Sequence, residues 1–358
     1  MTKSKVAVLK TDPVNIFQDY QRLMNLAGYT GVISSKRETL LKLNLSWSLF
    51  YPACSTPPWQ LDAVIGALVE DGFSRDRIHP VENKTVVTNT QIGAEKNRWN
   101  PVFKKHGIPF TPLTDVQWTV FKPKRKFLIL DRLYPEGVEI PEMFIGKDVI
   151  HLPTMKTHGH SVMTGAVKNS FGGLLKTVRH YCHKYIHEAL VDLLILQREI
   201  HPGVFAVMDA TVCGDGAGPR CMEPKVKNYI LASSDSVALD AVAAKMMGMD
   251  PLKIPFINLA NGIGLGVGDP SRIEIVGSDI EGINFNFRTK RSFVIWGDQF
   301  IRKGPLRFFE KLLLHTPASI WAAIASTVYH DYLWYPLVGS KYLREFYKTE
   351  WGRLFKEY

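Results

Sequence analysis

Seven apolar runs, each about the length of a buried strand, recur along the chain at Val6–Leu9, Leu40–Leu45, Phe127–Leu130, Val149–Leu152, Val204–Met208, Tyr229–Ala232 and Ile273–Val276. Longer patterns with helical spacing lie between them. PWQLDAVIGALVEDGF has Pro58 in its first turn, apolar Leu61, Val64, Ile65, Leu68 and Val69 on one face, and Gly72 as its stop. SDSVALDAVAAKMMGMDP opens on the cap candidates Ser234 and Asp235 and closes at Gly248, with Pro251 beyond. Strands alternating with helices predict an α/β fold, a largely parallel sheet flanked by helices on both faces. In such sheets ligands bind beyond the carboxyl ends of the strands, so the loops that follow strands are where chemistry is expected.

With 46% hydrophobic and 22% charged residues over 358 positions, the chain can bury a substantial core, and disorder or low complexity is excluded. No apolar run approaches the roughly 18–20 residues that a spanning helix needs. The opening MTKSKVAVLKTD has neither an h-region nor a cleavage site, which predicts a cytoplasmic rather than a secreted protein. Cys54, Cys182, Cys213 and Cys221 contain no C-x-x-C pair, against a disulfide scaffold, a zinc ribbon or a self-contained ferredoxin module.

Composition changes near residue 288, which divides the sequence into an α/β domain over 1–287 and a helical, aromatic and basic extension over 288–358. Those last 71 residues carry 12 basic and 6 acidic residues and 16 of the chain's 40 Phe, Trp and Tyr, twice their share by length. In FIRKGPLRFFEKLLLH, Phe300, Phe308, Phe309, Leu312 and Leu313 lie among Arg302, Lys303, Arg307 and Lys311. The 12-residue small and apolar run from Pro317 to Val328 then leads to Tyr329, Tyr332, Trp334 and Tyr335. This pattern suits helices lying in an anionic membrane surface, and equally helices that dock on the body or in a homo-oligomer. No Arg/Lys-rich run or RNA-binding signature accompanies the aromatics, so nucleic acid is not an expected partner.

The densest chemistry follows the run at Val149–Leu152. HLPTMKTHGHSVMTGAVKNSFGGLLKTVRHYCHKYIHEALVD holds six of the eleven histidines, His151, His158, His160, His180, His183 and His187, together with Lys156, Lys168, Lys176 and Arg179. Several cations and several groups titrating near neutrality favour an anionic small-molecule ligand. Lys156 and His158, two apart, point the same way in an extended segment and can form a base and cation pair. Thr164 and Lys168, four apart, share a helical face beside Asn169. His183 and His187 have the same spacing, which on one helix can hold a metal; the plainer alternative is two histidines bonded to neighbours. A second candidate is GDGAGPR, Gly214 to Arg220, where Asp215, Gly216 and Gly218 sit in a loop whose open N–H groups and Arg220 could cradle an anion, or which is simply a tight structural turn. NGIGLGVGDP, from Asn261, reads as a connecting loop.

Taken in order, KLN (Lys42 to Asn44), STPPWQLDAVIGALVEDG, MKTHGHSVMTGAVKNSFGG, GDGAGP, LASSDSVALDAVAAKMMGMDP and GLGVGDPSRIEIVG resemble the domain-of-unknown-function family 362, over about residues 38–280. Members are often labelled iron–sulfur centre proteins. The K-T-H...T-G-A-V-K-N-x-F-G element is the specific part. Three departures stand out: the family's K-P-N is K-L-N here, its E-G-x-G-P is D-G-A-G-P, and the cysteine-rich ferredoxin segment of many members is missing. The resemblance implies a pocket built from Lys42, Asn44, Lys156, His158, Thr164, Lys168, Asn169, His187, Asp215 and Gly218, and leaves the reaction and the cofactor open. Asp235 and Asp240 are also family positions, read here as a helix cap and as a group that orients a pocket lysine. A looser architectural similarity links the chain to the amino-terminal domain of nickel-dependent lactate racemase, with its Lys/His-rich site.

The resulting expectation is an enzyme acting on an anionic small molecule, lipid-linked or free, at a peripheral membrane surface. Lys42 and Lys168 hold the anion, His158 is the general acid/base, Lys156 steers or activates, and Asn169 orients the substrate. A redox role requires an external electron carrier or a bound cofactor. The competing class is a non-catalytic protein that holds a metabolite or cofactor in the same pocket.

Overall fold

The computed structural model describes residues 3–314, 316 and 320–358, and of residues 177 and 178 the backbone only. Residues 317–319, where the apolar run of the extension begins, lie outside the described residues.

Twelve strands are described: β1 (Ser4–Lys10), β2 (Thr39–Lys42), β3 (Ile78–Glu82), β4 (Thr111–Pro112), β5 (Trp118–Phe121), β6 (Val138–Pro141), β7 (Asp148–His151), β8 (Thr154–His158), β9 (Val162–Thr164), β10 (Val204–Ala217), β11 (Cys221–Ser233) and β12 (Ile273–Gly277). The main sheet runs β12-β1-β11-β10-β7-β2-β3-β4, with β8 branching from β10 to pair with β9, while β5 and β6 form a separate hairpin. Along that eight-strand path only β11 runs against the others. The sheet is therefore largely parallel and covered by helices, as the alternating pattern predicts.

Strand periodicity divides the core cleanly. Val6, Val8, Leu40, Val149, Met208 and Leu231 face one layer, with the helices Ala166–Leu174, Ile186–Ile200 and Ser236–Met246. Their sequence neighbours Ala7, Leu9, Leu41, Ile150, Val207 and Ile230 face the other, with Ile16–Leu26, Pro58–Glu70 and Trp99–His106. Phe127–Leu130 is not the strand that its composition suggests. The buried carboxylate of Asp192 accepts the N–H groups of Leu128, Ile129 and Leu130 at 2.6, 2.8 and 2.9 Å, so those donors never join a ladder.

The extension has two parts. Its far end is integrated into the body: Phe346, Trp351 and Phe355 belong to the second core layer, and Trp334 and Tyr335 pack on Trp47 and Tyr51. Trp47 donates its indole N–H to Asp331 at 2.7 Å, and Tyr335 donates to the Phe50 carbonyl at 3.0 Å. Its near part, the helix Phe293–Lys303 and the described residues from there to Thr327, lies over the carboxyl ends of the strands and keeps an apolar outer face. Among the described residues, 15 of the 25 exposed large hydrophobic side chains fall between Phe293 and Val338, so exposure is concentrated there rather than scattered. No helix among the described residues is long and apolar enough to cross a membrane.

Trp351 is fully buried against Trp59 at 5.1 Å between ring centroids and donates to Asn228 Oδ1 at 2.7 Å. Trp351→Ala is expected to cost about 3–5 kcal/mol in denaturant unfolding; a loss below about 1 kcal/mol would mean that the end of the extension is not part of the core.

Candidate functional site: a cationic cavity under the extension

Parallel strands deliver their last residues to one edge, and here those residues are ionisable. β2 ends in Lys42 and β3 in Glu82. Lys42 Nζ donates to Glu82 Oε1 at 2.8 Å and to the Leu43 carbonyl at 2.6 Å, a buried ion pair at the strand ends. Burial lowers the Lys42 pKa, opposed by the Glu82 charge. Asn44, just beyond β2, donates through Nδ2 to Thr154 Oγ1 at 3.0 Å and to the Cys54 carbonyl at 3.2 Å.

The hairpin of β8 and β9 leads directly into the helix Ala166–Leu174. That helix is fixed from below by Asp240, whose buried carboxylate accepts from the backbone N–H of Ala166 at 2.6 Å and of Val167 at 3.1 Å. Gly165 makes this approach possible, since a Cβ there would lie 2.1 Å from Asp240 Oδ1. Burial raises the Asp240 pKa to about 7. The helix carries Asn169, which donates to the Lys42 carbonyl at 2.8 Å, and Lys168. Among the described residues Lys168 has neither a hydrogen bond nor an ion pair; its ammonium lies 5.5 Å from the centroid of Phe171. Burial, then the charges of Arg179 and Lys42, pull its pKa down to about 8.

His158, at the end of β8, has a defined tautomer. Its Nδ1 accepts from the backbone N–H of His160 at 3.2 Å and of Ser161 at 3.4 Å, so in the neutral ring the proton sits on Nε2. Burial, followed by the Lys168 charge, holds its pKa well below the ordinary histidine value. His158 is thus a neutral N–H donor. The Thr164 hydroxyl is buried without a hydrogen-bond partner.

These groups share one cavity of about 1040 Å³. Its floor belongs to the α/β body: Lys42, Glu82, His158, Thr164, Lys168 and Arg179. Its far wall belongs to the extension and is mostly apolar, including Phe293, Ile301, Trp321, Ala325, Val328 and Leu333. Six cationic side chains line it (Lys42, Lys84, Lys168, Arg179, Arg220 and Arg302) against two carboxylates, Glu82 and Asp298. Arg179 is held by carbonyls, donating to Gly172 and Leu175 at 3.1 Å each and to Lys84. Arg220 donates to Ser326 Oγ at 2.8 Å, and its Nη1 is buried without a partner.

The structure brings together Lys42, Asn44, His158, Thr164, Lys168, Asn169 and His183 of the sequence-predicted set. It places the others elsewhere. Lys156 faces the same side of β8 as His158 but stops short of the cavity, with Nζ donating to the Cys54 carbonyl at 2.5 Å and Thr154 Oγ1 at 2.9 Å; burial lowers its pKa to about 7. Asp215, Gly216 and Gly218 lie at the tip of the β10–β11 hairpin and do not themselves line the cavity. Asp215 accepts the Arg288 N–H at 2.8 Å, and the Gly216 and Gly218 carbonyls accept from Lys290 and Gly159 at 2.9 and 3.1 Å. A Cβ at Gly218 would stand 1.8 Å from the Thr157 carbonyl oxygen. Gly218 lets the loop pack against β8, while Pro219 and Arg220 of the same loop line the cavity. His187 parts from His183 because the helix begins only at Ile186; its ring stacks on Phe256, 6.1 Å between centroids, and not in the cavity. Glu82 and Asp298 are the site carboxylates that sequence reasoning missed, since each is a single acid far from the Lys/His segment.

An iron–sulfur cluster does not fit these residues. All four cysteines are buried, and Cys182 and Cys213 lie within the hydrophobic core. Among the described residues no metal-competent cluster includes a cysteine.

A thylakoid-associated protein of Synechocystis sp. is 29% identical over 175 residues, covering 48% of this chain and 52% of that protein. The chain thus spans about half the length of this relative. A crystal structure of a Thermotoga maritima protein is similar with a TM-score of 0.37 and 12% identity, covering 60% of this chain and 55% of that one. The sequence signature described as a domain of unknown function, DUF362, matches residues 39–245, more than half of the chain, and the protein therefore belongs to that family.

Proposed function

We propose that the protein takes an anionic amphiphile from a membrane surface into this cavity and acts on its headgroup by proton transfer. The observation that carries this reading is the division of one cavity between a cationic floor and an apolar wall. An inorganic anion would leave that wall unused, and a neutral lipid would leave Lys168 unpaired. The outer face of the extension is also apolar, with Phe308 81% and Leu312 61% exposed, and it lies among Lys303, Arg307 and Lys311. The name of the Synechocystis relative, thylakoid-associated, accords with a membrane-surface role.

Within this reading Lys168 is the proton-transfer group, because among the described residues it combines a pKa of about 8 with access to the cavity and freedom from other partners. His158 donates from Nε2 to the headgroup and does not serve as a base, since moving its proton to Nδ1 would set that proton against two backbone N–H donors. Lys42, Arg179 and Asn169 position. The fixed tautomer of His158 also favours a second reading, a non-catalytic holder of the same amphiphile. Wild-type protein that binds amphiphiles of every headgroup chemistry without altering any of them would support the holder over the enzyme.

Protonated Lys168 binds the anion, so affinity is full below its pKa of about 8 and is lost as pH rises through it. For octyl sulfonate, ionised throughout, Kd is expected to rise about tenfold per pH unit above that point. Lys168→Arg should remove this pH dependence, and Lys168→Met should weaken binding at every pH. A flat wild-type profile in calorimetric titration would exclude Lys168 as the anion contact.

Phe308→Glu combined with Leu312→Glu is expected to reduce co-sedimentation with phosphatidylglycerol vesicles at least about tenfold, at unchanged melting temperature. Undiminished vesicle binding would mean that this face does not meet lipid.

A further inference from the structure

We infer that His160, His183 and Asp298 form a three-ligand site for one divalent transition-metal ion at the cavity wall. One donor atom from each residue lies within 4.8 Å of the other two, and all three residues line the cavity. They come from three separate segments: the turn between β8 and β9, the 3₁₀ stretch Thr177–Tyr185, and the extension helix Phe293–Lys303. An ion held here ties the extension to the body across the cavity that Lys168 also lines.

The surroundings resemble the outer partners that orient metal ligands. The Gln299 amide is 2.7 Å from His160 Nδ1, which leaves Nε2 of that ring turned toward Asp298, 3.9 Å away. Gln299 Nε2 is the atom placed against Nδ1, an arrangement that puts the ring proton on Nε2; turning the amide over brings Oε1 there, so that Nδ1–H donates and the Nε2 lone pair is free for an ion. Arg302 Nε donates to both oxygens of Asp298, at 3.0 and 2.9 Å, and so fixes the carboxylate while leaving it further lone pairs. The rings of His160 and His183 stack at 4.5 Å with 18° between planes. Ligand atoms on a bound ion stand about 3.3 Å apart, given metal–nitrogen bonds of about 2.1 Å. Loading the site therefore requires the two imidazoles to rotate out of their stack.

Two imidazole nitrogens and one carboxylate oxygen select zinc, iron(II) or cobalt(II) over magnesium and calcium, which prefer all-oxygen shells. Lys168 and Arg302 lie close enough to act on the histidines electrostatically, and their repulsion sets the affinity below that of a closed structural zinc site. This assignment does not depend on the amphiphile reading, since none of its three ligands is assigned to the amphiphile and its test uses metal ions alone.

The test is a titration of the full-length protein, freed of metal, with Co²⁺ followed by its visible d–d absorption, then displacement by Zn²⁺. The expected result is one ion per chain, with Kd raised at least about tenfold by His183→Ala and by Asp298→Asn and unchanged by His187→Ala. Because Asp298→Asn also releases Arg302, the deciding pair is His183→Ala against His187→Ala. A second readout is the melting temperature, which Zn²⁺ should raise in the wild type and in His187→Ala but not in His183→Ala. The absence of saturable binding in the wild type would overturn the assignment, as would equal loss in His183→Ala and His187→Ala.

Discussion

A single buried carboxylate sets the geometry on which the cavity depends. Asp240 takes the first two free N–H groups of the helix Ala166–Leu174, in contact with Gly165 where no side chain could stand. Everything that the helix carries follows from that anchor. Asn169 reaches back to the Lys42 carbonyl and so ties the helix to the end of β2, while Lys168 projects into a space in which no group among the described residues pairs with it. Leaving a lysine unpaired inside a protein is costly, and the chain answers by lowering its pKa toward neutrality. Such a group is of use to a ligand that brings the missing negative charge.

The second constraint is the extension. Its end is core and its middle is cover. Trp351 and Phe355 hold it to the layer of helices behind the sheet, and Trp334 and Tyr335 pin it beside Trp47. Between these points and the body lies the segment that roofs the cavity. A roof apolar on both faces, anchored beyond it, can lie on a membrane with its outer side while its inner side contacts the chain of a bound amphiphile. The docking alternative raised by the sequence thus holds for the far end of the extension, and the membrane alternative is what we propose for its middle.

Much of this was legible in the sequence, because strand-length runs and helical spacing are local. Six of the seven apolar runs fall on strands, and Asp235 caps its helix, accepting from Val237 and Ala238. The Lys/His segment was visible by density alone. The rest depends on distant partners. Phe127–Leu130 looks like a strand until Asp192, more than sixty residues on, takes its donors. GDGAGP has the composition of an anion loop but is shaped by the Thr157 carbonyl against Gly218. His183 and His187 have helical spacing, yet the helix starts between them, and the nearer partner of His183 is His160. Asp298 had no signal, since only the fold carries the extension across to the histidines.

The central claim is that one ligand uses both the floor and the wall. The most direct measurement is calorimetric titration of the wild-type protein with alkyl sulfonates from butyl to decyl, beside inorganic sulfate and decanol. If the claim holds, affinity rises with chain length by up to about fourfold per methylene, from about 0.8 kcal/mol of burial each, and neither sulfate nor decanol binds comparably. Affinity that is independent of chain length, or equal for decanol and decyl sulfonate, would contradict it.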